Sequence, residues 1–394
     1  MSVKPTIEFF PVDNGDMVLI TTANSKRILI DCNYRQSADI DVKEILRERL
    51  VRDNLDRLYL DVFVSTHPDL DHVRGFSEIF HTGSPDDWNL ASDKVIINEI
   101  WSSPRVFRRA SRKPINGGTG MNELCQDAKD LNKEAKRRAK LFKDSGYLFT
   151  QKDGDGIVIL TEDEDGKTEG FEQIVAKLYS KFVSLNSGLN DNSIDALLLG
   201  PADKQDVPTD EDELCKNDSS VILNICIKDE YGFSHQFLTG GDAGVKCWEL
   251  LNDRMVSECS TPLLSYDVLQ TPHHCSWRSI SDDSESNSEN PKVNESAKGA
   301  LSYANSNAMI VTSSRPFGEK TPPSKLAKSE YEDIVSAADG EFLMVSDQTD
   351  SENKGTSLVI TFSCGSKSSG TGKVSFANSE NPNAVNKSGR NIYA

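Results

Sequence analysis

Histidine and aspartate residues are concentrated in the short motif HPDLDH, which directly follows an apolar segment. The motif supplies His67, Asp69, Asp71 and His72 within six positions. Imidazole and carboxylate groups are ligands that suit zinc, manganese or iron. A loop that leaves a strand here can direct the first two side chains at one metal and the last two at another. The spacing therefore predicts a metal site.

Two later motifs have the same character. FLTGGD is an apolar segment that ends in a glycine pair and Asp242, where the glycines allow close backbone approach and the carboxylate is placed to bridge two metals. TPHHCS supplies His273 and His274. Four of the six histidines thus lie in two motifs, whereas His81 and His235 have no such neighbours and are interpreted as surface or structural residues. Together the three motifs predict a metal centre.

The segments before these motifs have the pattern of strands. Leu58 to Val64 is a short apolar run that leads directly into HPDLDH, and Thr6 to Asp31 has the alternation and turn signals of a β-meander. Open α/β sheets place ligands beyond the carboxyl ends of their strands. We therefore expect a layered α/β domain in which the motifs meet at one sheet edge.

One domain is predicted over residues 1–364, with residues 105–194 as a helical insertion. Apolar residues recur at helical spacing between Met121 and Lys143, and a second helix is predicted near Phe171 to Leu185. From 365 to 394 the chain is rich in Ser, Gly, Asn and Lys, so we expect a disordered tail.

The composition limits the class of protein. A net charge of -18 argues against a protein that coats nucleic acid, because phosphates are repelled by an acidic surface, but it allows an enzyme with a local basic groove. No apolar run approaches the roughly 20 residues of a membrane helix, and the N-terminus lacks the apolar core of a signal peptide. The eight cysteines are scattered, as is typical of reduced thiols. We expect a cytoplasmic protein without membrane contact.

HxDxDH resembles the HxHxDH signature of metallo-β-lactamase-fold hydrolases, with Asp69 in place of the second histidine, and this variant is similar to the hydrolase domain of the bacterial competence protein ComEC. Other segments resemble that family in the same order. FFPVDNGDMVLI is similar to FLDVGQGDA, ILIDCN to LIDxG, ALLLGPA and NDSSVIL to LxP and NNxSxVL, FLTGGD to LLTGD, and TPHHCS to PHHGS. The resemblance covers roughly residues 6–362 outside the insertion. It implies an αββα sandwich and a hydrolase with two divalent metals, zinc or manganese.

The resemblance also implies roles for single residues. His67 and Asp69 would serve one metal and Asp71 and His72 the other, while Asp242 bridges and His273 or His274 completes the second site. The residues with catalytic roles would be Asp31, Asp71 and Asp242, and Asp31 would orient a ligand rather than bind metal. Asp13 and Asp16 bracket the first turn, and we assign both to turn chemistry.

Three departures from the family pattern concern the ligands. Cys275 replaces the glycine after the paired histidines, and Lys320 and Thr321 lie where the family usually has a histidine. The site of His67 and Asp69 also lacks an obvious third histidine, with Asn217 and Asp218 as the nearest candidates. One metal is therefore expected to bind more weakly, or in an oxygen-rich shell suited to manganese.

The metal motifs do not choose between phosphodiester, ester and lactam hydrolysis. Basic residues concentrate at 105–113 and on the helix face from Lys133 to Lys143, which is either a phosphate groove or a solvated helix face. The first hypothesis is a nuclease or nucleotide phosphodiesterase that binds substrate through Arg137, Arg138 and Lys140, with an activating protein partner left open. The alternatives are a regulatory subunit with a degenerate site and a small-molecule esterase or lactonase.

Overall fold

The computed structural model describes residues 3–110, 124–145, 153–163, 166–183, 191–203 and 217–371. Its strands are β1 (Thr6–Phe9), β2 (Val18–Thr21), β3 (Arg27–Ile30), β4 (Cys32–Asn33), β5 (Val51–Arg52), β6 (Leu58–Val64), β7 (Ile96–Ser102), β8 (Gly156–Leu160), β9 (Val175–Ala176), β10 (Lys181–Phe182), β11 (Ile194–Gly200), β12 (Ile222–Lys228), β13 (Ser234–Thr239), β14 (Tyr266–Gln270), β15 (Ala304–Thr312), β16 (Glu341–Met344), β17 (Leu358–Ser363) and β18 (Ser366–Thr371). Its α-helices are α1 (Val42–Arg49), α2 (Leu70–Val73), α3 (Phe76–Ile79), α4 (Pro104–Ala110), α5 (Gln126–Ser145), α6 (Val245–Ser257), α7 (Glu295–Ala300) and α8 (Lys325–Ala337).

The strands form two large mixed sheets. The first has the order β18-β17-β1-β2-β3-β6-β7-β8-β9, with β5 paired to β6, and the second has the order β10-β11-β12-β13-β14-β15-β16. Strands β3, β6, β7, β8 and β9 are mutually parallel, as are β13, β14, β15 and β16. Carboxyl ends of neighbouring parallel strands lie at the same edge, so loops from several strands meet there.

The two sheets pack face to face through the largest core. Alternate residues of both sheets enter it, such as Val62 and Val158 from the first and Leu223 and Val268 from the second. The outer face of the first sheet packs against α1, α2, α3 and α5, and the outer face of the second packs against α6, α7 and α8. The predicted α/β class is therefore confirmed, with helices outside two central sheets. No helix among the described residues is both long and apolar enough to cross a membrane.

The segment 105–194 is more than a helical insertion. It contains α4 and α5, and α5 confirms the helix predicted there, but it also adds β8 and β9 to the first sheet and β10 to the second. The helix predicted near 171–185 is wrong, because 171–183 contain β9, turns and β10. A left-handed backbone at Tyr179, with φ of 59°, is incompatible with a continuous helix.

The tail predicted to be disordered from residue 365 begins as a strand instead. β18 pairs with β17 through a two-residue turn at Cys364 and Gly365, whose φ angles are 52° and 71°. Two left-handed residues give the turn whose twist matches an antiparallel hairpin, and ladder hydrogen bonds do not require apolar side chains. Residues 372–394, the rest of the predicted tail, lie outside the described part of the chain.

A buried ion pair connects α1 to the sheet beneath it. Arg49 Nε lies 2.9 Å from Glu8 Oε2 and Arg49 Nη2 lies 3.2 Å from Glu8 Oε1. Both residues are buried, at 7% and 2% exposure. Removing one member of such a pair leaves the other charge buried and unpaired, which is strongly destabilising.

Glu8→Gln should therefore lower the free energy of unfolding by about 3 to 5 kcal/mol, as measured by urea denaturation. Glu48→Gln is the matched control, because Glu48 also contacts Arg49, at 3.5 Å, but its side chain is 72% exposed. The control should change stability by less than about 0.5 kcal/mol. Equal midpoints for the two variants would show that the buried pair does not hold α1 in place.

Candidate metal centre

The three histidine and aspartate motifs meet at one edge of the two sheets. His67 follows β6 and His72 lies in α2, while Asp242 follows β13 and His273 and His274 follow β14. Ring centroids are 5.3 Å apart for His67 and His72, 5.4 Å for His72 and His274, and 6.0 Å for His273 and His274. The structure thus brings together residues that are more than two hundred positions apart.

Two glycines permit this close approach. A Cβ atom on Gly241, where φ is +48°, would lie 2.4 Å from Thr66 Oγ1. A Cβ atom on Gly15 would lie 2.7 Å from the Asp71 carbonyl oxygen. Because real Cβ atoms do not approach other atoms so closely, a larger residue at either position would push the loops apart.

His72 is held between two buried carboxylates. Its Nδ1 lies 2.8 Å from Asp31 Oδ2, and its Nε2 lies 2.9 Å from Asp242 Oδ1. Asp31 is itself fixed by Thr66, whose backbone N–H donates to Oδ1 at 2.8 Å and whose hydroxyl donates to Oδ2. A carboxylate on one ring nitrogen sets the tautomer and directs the other nitrogen to a metal. Asp31 therefore lies where a residue that orients His72 would lie.

His274 lies beside His72 and faces two carboxylates. Its Nε2 is 3.3 Å from Asp71 Oδ2 and 3.5 Å from Asp242 Oδ1. The candidate ligand atoms of Asp71, His72 and His274 all lie within 4.8 Å of one another. His274 Nδ1 lies 3.2 Å from the Ser313 carbonyl oxygen, to which it can donate, and 3.2 Å from the Gly15 nitrogen, whose N–H it can accept, while Nε2 faces the carboxylates. This geometry fits one metal site, with Asp242 Oδ1 at its border.

The second oxygen of Asp242 faces another group. His273 Nε2 lies 3.6 Å from Asp242 Oδ2, and its Nδ1 lies 3.4 Å from Asn217 Nδ2. His67 Nε2 is 3.4 Å from Asp69 Oδ2, and the Ser220 hydroxyl lies 3.1 Å from His67 Nδ1. His273 thus lies on the side of Asp242 that belongs to His67 and Asp69, the site for which the sequence analysis found no third histidine.

The set formed by His67, Asp69 and His273 is less compact than the set formed by Asp71, His72 and His274. Within the described ranges, none of the compact ligand groups contains His67, Asp69 or His273. A further compact group combines Asp16, Asp31 and His72, but both carboxylates there approach His72 Nδ1, so they orient the ring rather than form a separate metal site.

Asp16 was wrongly assigned to turn chemistry. It is 3% exposed, with Oδ2 at 3.8 Å from His72 Nδ1 and Oδ1 at 3.6 Å from His274 Nδ1. The signal was available in the sequence, because Asp16 occupies the last acidic position of the segment that resembles FLDVGQGDA. Asp13 does lie in an exposed turn, with φ of 58° and an ion pair to Arg35.

Opposite charges stabilise each other inside the cluster. Burial opposes the charged ring of His72, but Asp242 and Asp31 hold its pKa well above the usual value. Burial also opposes the charged ring of His274, but Asp242, Asp16 and Asp71 outweigh this effect and raise the pKa to about 10. The same histidines hold the pKa of Asp242 and Asp71 below the usual range, although burial acts in the other direction. The metal-free cluster therefore keeps protons where cations would bind.

At Asp31 and His273, the effect of burial on the pKa outweighs the effect of the neighbouring charges. Burial raises the pKa of Asp31, although His72 and Thr66 hydrogen-bond to it, and burial lowers the pKa of His273. His273 is therefore more readily available in its neutral, ligand form than His72 or His274.

The predicted substrate-binding role of Arg138 is wrong. Arg138 is 1% exposed and donates to Glu134 and to the carbonyl oxygens of Ile97, Asn98 and Gly156. Its guanidinium joins α5 to β7 and β8, so it cannot reach a substrate phosphate without unfolding.

The other two predicted substrate contacts differ from Arg138. Arg137 is partly buried and lies 2.7 Å from Glu134 Oε1 and 2.8 Å from Asp155 Oδ1, so its charge is already compensated. Lys140 is 74% exposed and pairs with Asp144. Only Lys140 of the three is accessible for a new contact.

The remaining candidates have structural positions. His81 Nε2 lies 2.8 Å from the Ser84 carbonyl oxygen, and the buried ring of His235 stacks on Phe362 at 4.5 Å. Cys275 is fully buried, and His273, His274 and Cys275 are all left-handed, with φ of 50°, 54° and 63°. Lys320 and Thr321 are exposed. Consecutive left-handed residues are costly outside glycine, and such strain often occurs at functional sites.

Comparison with known proteins gives no relative. No protein-family model matches the chain, and no curated protein matches it. The short motifs and their convergence at one sheet edge are therefore the basis for any statement about function.

The raised pKa of His274 predicts a pH dependence for the metal-free protein. A folded pKa of about 10 against an ordinary value of 6.5 gives stability that is fully present below pH 6.5 and is lost as the pH rises towards 10. In EDTA, the free energy of unfolding should fall in this window by up to about 1.4 kcal/mol per pH unit for one such proton.

His274→Gln should flatten this slope, whereas His81→Gln, outside the cluster, should leave it unchanged. Urea denaturation at several pH values measures both. Parallel slopes for the wild type and His274→Gln would contradict the assignment of the proton to His274.

Proposed function

We propose that this chain is a metal-dependent hydrolase of the metallo-β-lactamase fold that holds two divalent cations and cleaves phosphodiester bonds. The observation that carries the proposal is the carboxylate of Asp242, which is 3% exposed and directs its two oxygens at different histidine groups. A bridging carboxylate between two sets of nitrogen and oxygen ligands is what a two-metal hydrolase requires. The helices outside two face-to-face sheets also support the proposed fold.

The residues fit divalent cations. His67 Nε2 and His274 Nε2 are buried and make no hydrogen bond of good geometry to the described part of the chain, although carboxylate oxygens lie 3.4 and 3.3 Å from them. Buried polar atoms of this kind are rare unless a ligand or ion satisfies them. Imidazole with carboxylate is a donor set for zinc or manganese.

We assign one cation to Asp71, His72 and His274 and the other to His67, Asp69 and His273, with Asp242 shared. When bound, two such cations would supply an activated water and would stabilise charge on the attacking and leaving oxygens. Asp31 and Asp16 act through the rings, because they approach His72 and His274 at Nδ1 and thereby aim Nε2 at the centre. The loop glycines keep these groups at ligand distance from each other.

Phosphodiester substrates are favoured by the distribution of positive charge. The chain has a net charge of -18, yet α5 presents exposed lysines at 136, 140 and 143, which line one cavity together with Ser102 at the end of β7. Spacing of three and four residues places these lysines on one helix face. An anionic substrate is the class that such a face attracts.

Metal content tests the ligand assignment. The protein should take up about two zinc or manganese ions per chain, and His72→Gln should lose at least one of them. Stepwise chelation followed by elemental analysis should release one ion early, because the group of His67, Asp69 and His273 is the looser one. Asp13→Asn, an exposed turn variant, is the control and should keep both ions. Unchanged stoichiometry in His72→Gln, or simultaneous release of two equally tight ions, would refute this assignment.

Turnover tests the reaction. Metal-loaded protein should hydrolyse bis(p-nitrophenyl) phosphate and at least one of DNA, RNA or a cyclic nucleotide, and Asp242→Asn should lower kcat by at least roughly 100-fold. Asp13→Asn should retain full activity.

The same assay separates the alternative functions. Cleavage of p-nitrophenyl acetate or a lactone without phosphodiester cleavage would replace the proposal with a small-molecule esterase or lactonase. Fully loaded protein that cleaves none of these substrates would indicate a regulatory or binding subunit.

A further inference from the structure

A cavity of about 510 Å³ lies between α4, α5 and the outer face of the first sheet. Its floor is apolar and partly aromatic, formed by Phe107, Ala135, Ala139, Ile157, Ile159 and Phe171. The volume falls in the range of pockets that bind small organic ligands, roughly 300 to 1,000 Å³. A cavity of this size and lining can hold a flat ring system.

The rim of this cavity is strongly basic. Five cationic side chains line it, of which Arg108 pairs with Asp163 at 3.7 Å and Lys140 pairs with Asp144; the other three are Lys136, Lys143 and Lys167. Lys143 Nζ lies 5.2 Å from the centre of the Phe171 ring, so positive charge stands directly beside the aromatic floor. In a chain with a net charge of -18, this concentration favours an anionic ligand.

The cavity and the metal centre are close neighbours along the sheet. Trp101 on β7 is in register with Val64 on β6, and the next residue, Ser102, lines the cavity. His67 lies three residues beyond Val64. Helix α4, which contributes Phe107 and Arg108 to the cavity, also packs against 217–219, where Asn217 contacts His273. Ser102 and α4 therefore connect the cavity to the end of the strands at which the cluster lies.

We propose that this cavity binds one nucleotide unit of the substrate, with the base on the floor of Phe107 and Phe171 and the phosphate at the lysines of α5. Bases stack on aromatic side chains without sequence preference, and lysines contact phosphates as point charges. Inorganic phosphate alone would not use the apolar floor, and a neutral aromatic molecule would not use the rim. The link to catalysis rests on the function proposed above, whereas the binding does not require metal.

Binding is tested in the wild-type protein in EDTA with AMP, which contains no phosphodiester bond, so that neither hydrolysis nor metal binding can be confused with occupation of the cavity. Calorimetric titration with AMP should give saturable binding, and adenosine and inorganic phosphate should each bind at least tenfold more weakly. The double variant Lys136→Ala, Lys143→Ala should weaken AMP binding at least tenfold and reduce its salt dependence. Lys133→Ala is the matched control, since Lys133 is exposed on the same helix but does not line the cavity.

Phe171→Leu should weaken AMP binding several-fold while leaving the weaker binding of inorganic phosphate unchanged, because only stacking is lost. Equal affinity for AMP and inorganic phosphate would overturn the proposal, as would tighter binding of dodecyl phosphate than of AMP, which would assign the cavity to an acyl chain. An equal effect of Lys133→Ala and the double variant would also overturn it. Hydrolysis of phosphodiesters by a protein that fails these binding tests would leave the proposed function intact and remove the nucleotide site alone.

Discussion

The constraint on which the structure depends is the confinement of several negative charges at a sheet edge with little access to water. Five carboxylates meet four imidazoles there, namely Asp16, Asp31, Asp69, Asp71 and Asp242 with His67, His72, His273 and His274. A buried carboxylate is costly unless it is paired or coordinates a cation. Positive charge must therefore be present, and in the metal-free protein it is supplied by protons on the rings; under the proposed function, bound cations would replace them.

The same constraint ties the two sheets together. His72 belongs to a loop of the first sheet and Asp242 to a loop of the second, and they approach to 2.9 Å. A backbone contact reinforces this junction, since the Val221 N–H, just before β12, donates to the Thr66 carbonyl oxygen, just after β6. Side-chain and backbone hydrogen bonds therefore connect the two sheets at the polar end of the sandwich. A change that moves one loop will disturb the ligands of both.

The candidate ligand motifs could be predicted from the sequence because they depend on the spacing of neighbouring residues. HPDLDH, FLTGGD and TPHHCS each carry their ligands within a few residues after an apolar strand, so the pattern was readable before any fold was known. Asp16 was missed because an aspartate after Asn-Gly is also typical of a turn, and its distances to His72 and His274 decide between a turn residue and a site residue. The role of His273 on the far side of Asp242 likewise depends on the meeting of β13 and β14.

The wrong expectations have a shared physical origin. Helical periodicity located α5, but it could not show that Glu134 and Arg138, four residues apart, turn inward as a buried pair while lysines on the same helix face solvent. Similarly, the apolar residues around 175–182 fit a helix or short strands equally well, and pairing with β8 and β11 decided in favour of strands. Burial of charge and strand pairing are tertiary effects, which a single sequence does not specify.

The terminal strand β18 has a consequence for how the protein behaves at high concentration. Its sequence, SKSSGT, is polar and mostly exposed, and it covers one side of the apolar strand β17, LVITFS. An uncovered strand of the second kind offers unpaired backbone groups to any similar strand nearby, which is how folded domains begin to aggregate. The polar segment of β18 therefore protects the edge of the first sheet. Ending the chain at Gly365 would remove β18 and leave the backbone groups of β17 unpaired, which would favour self-association.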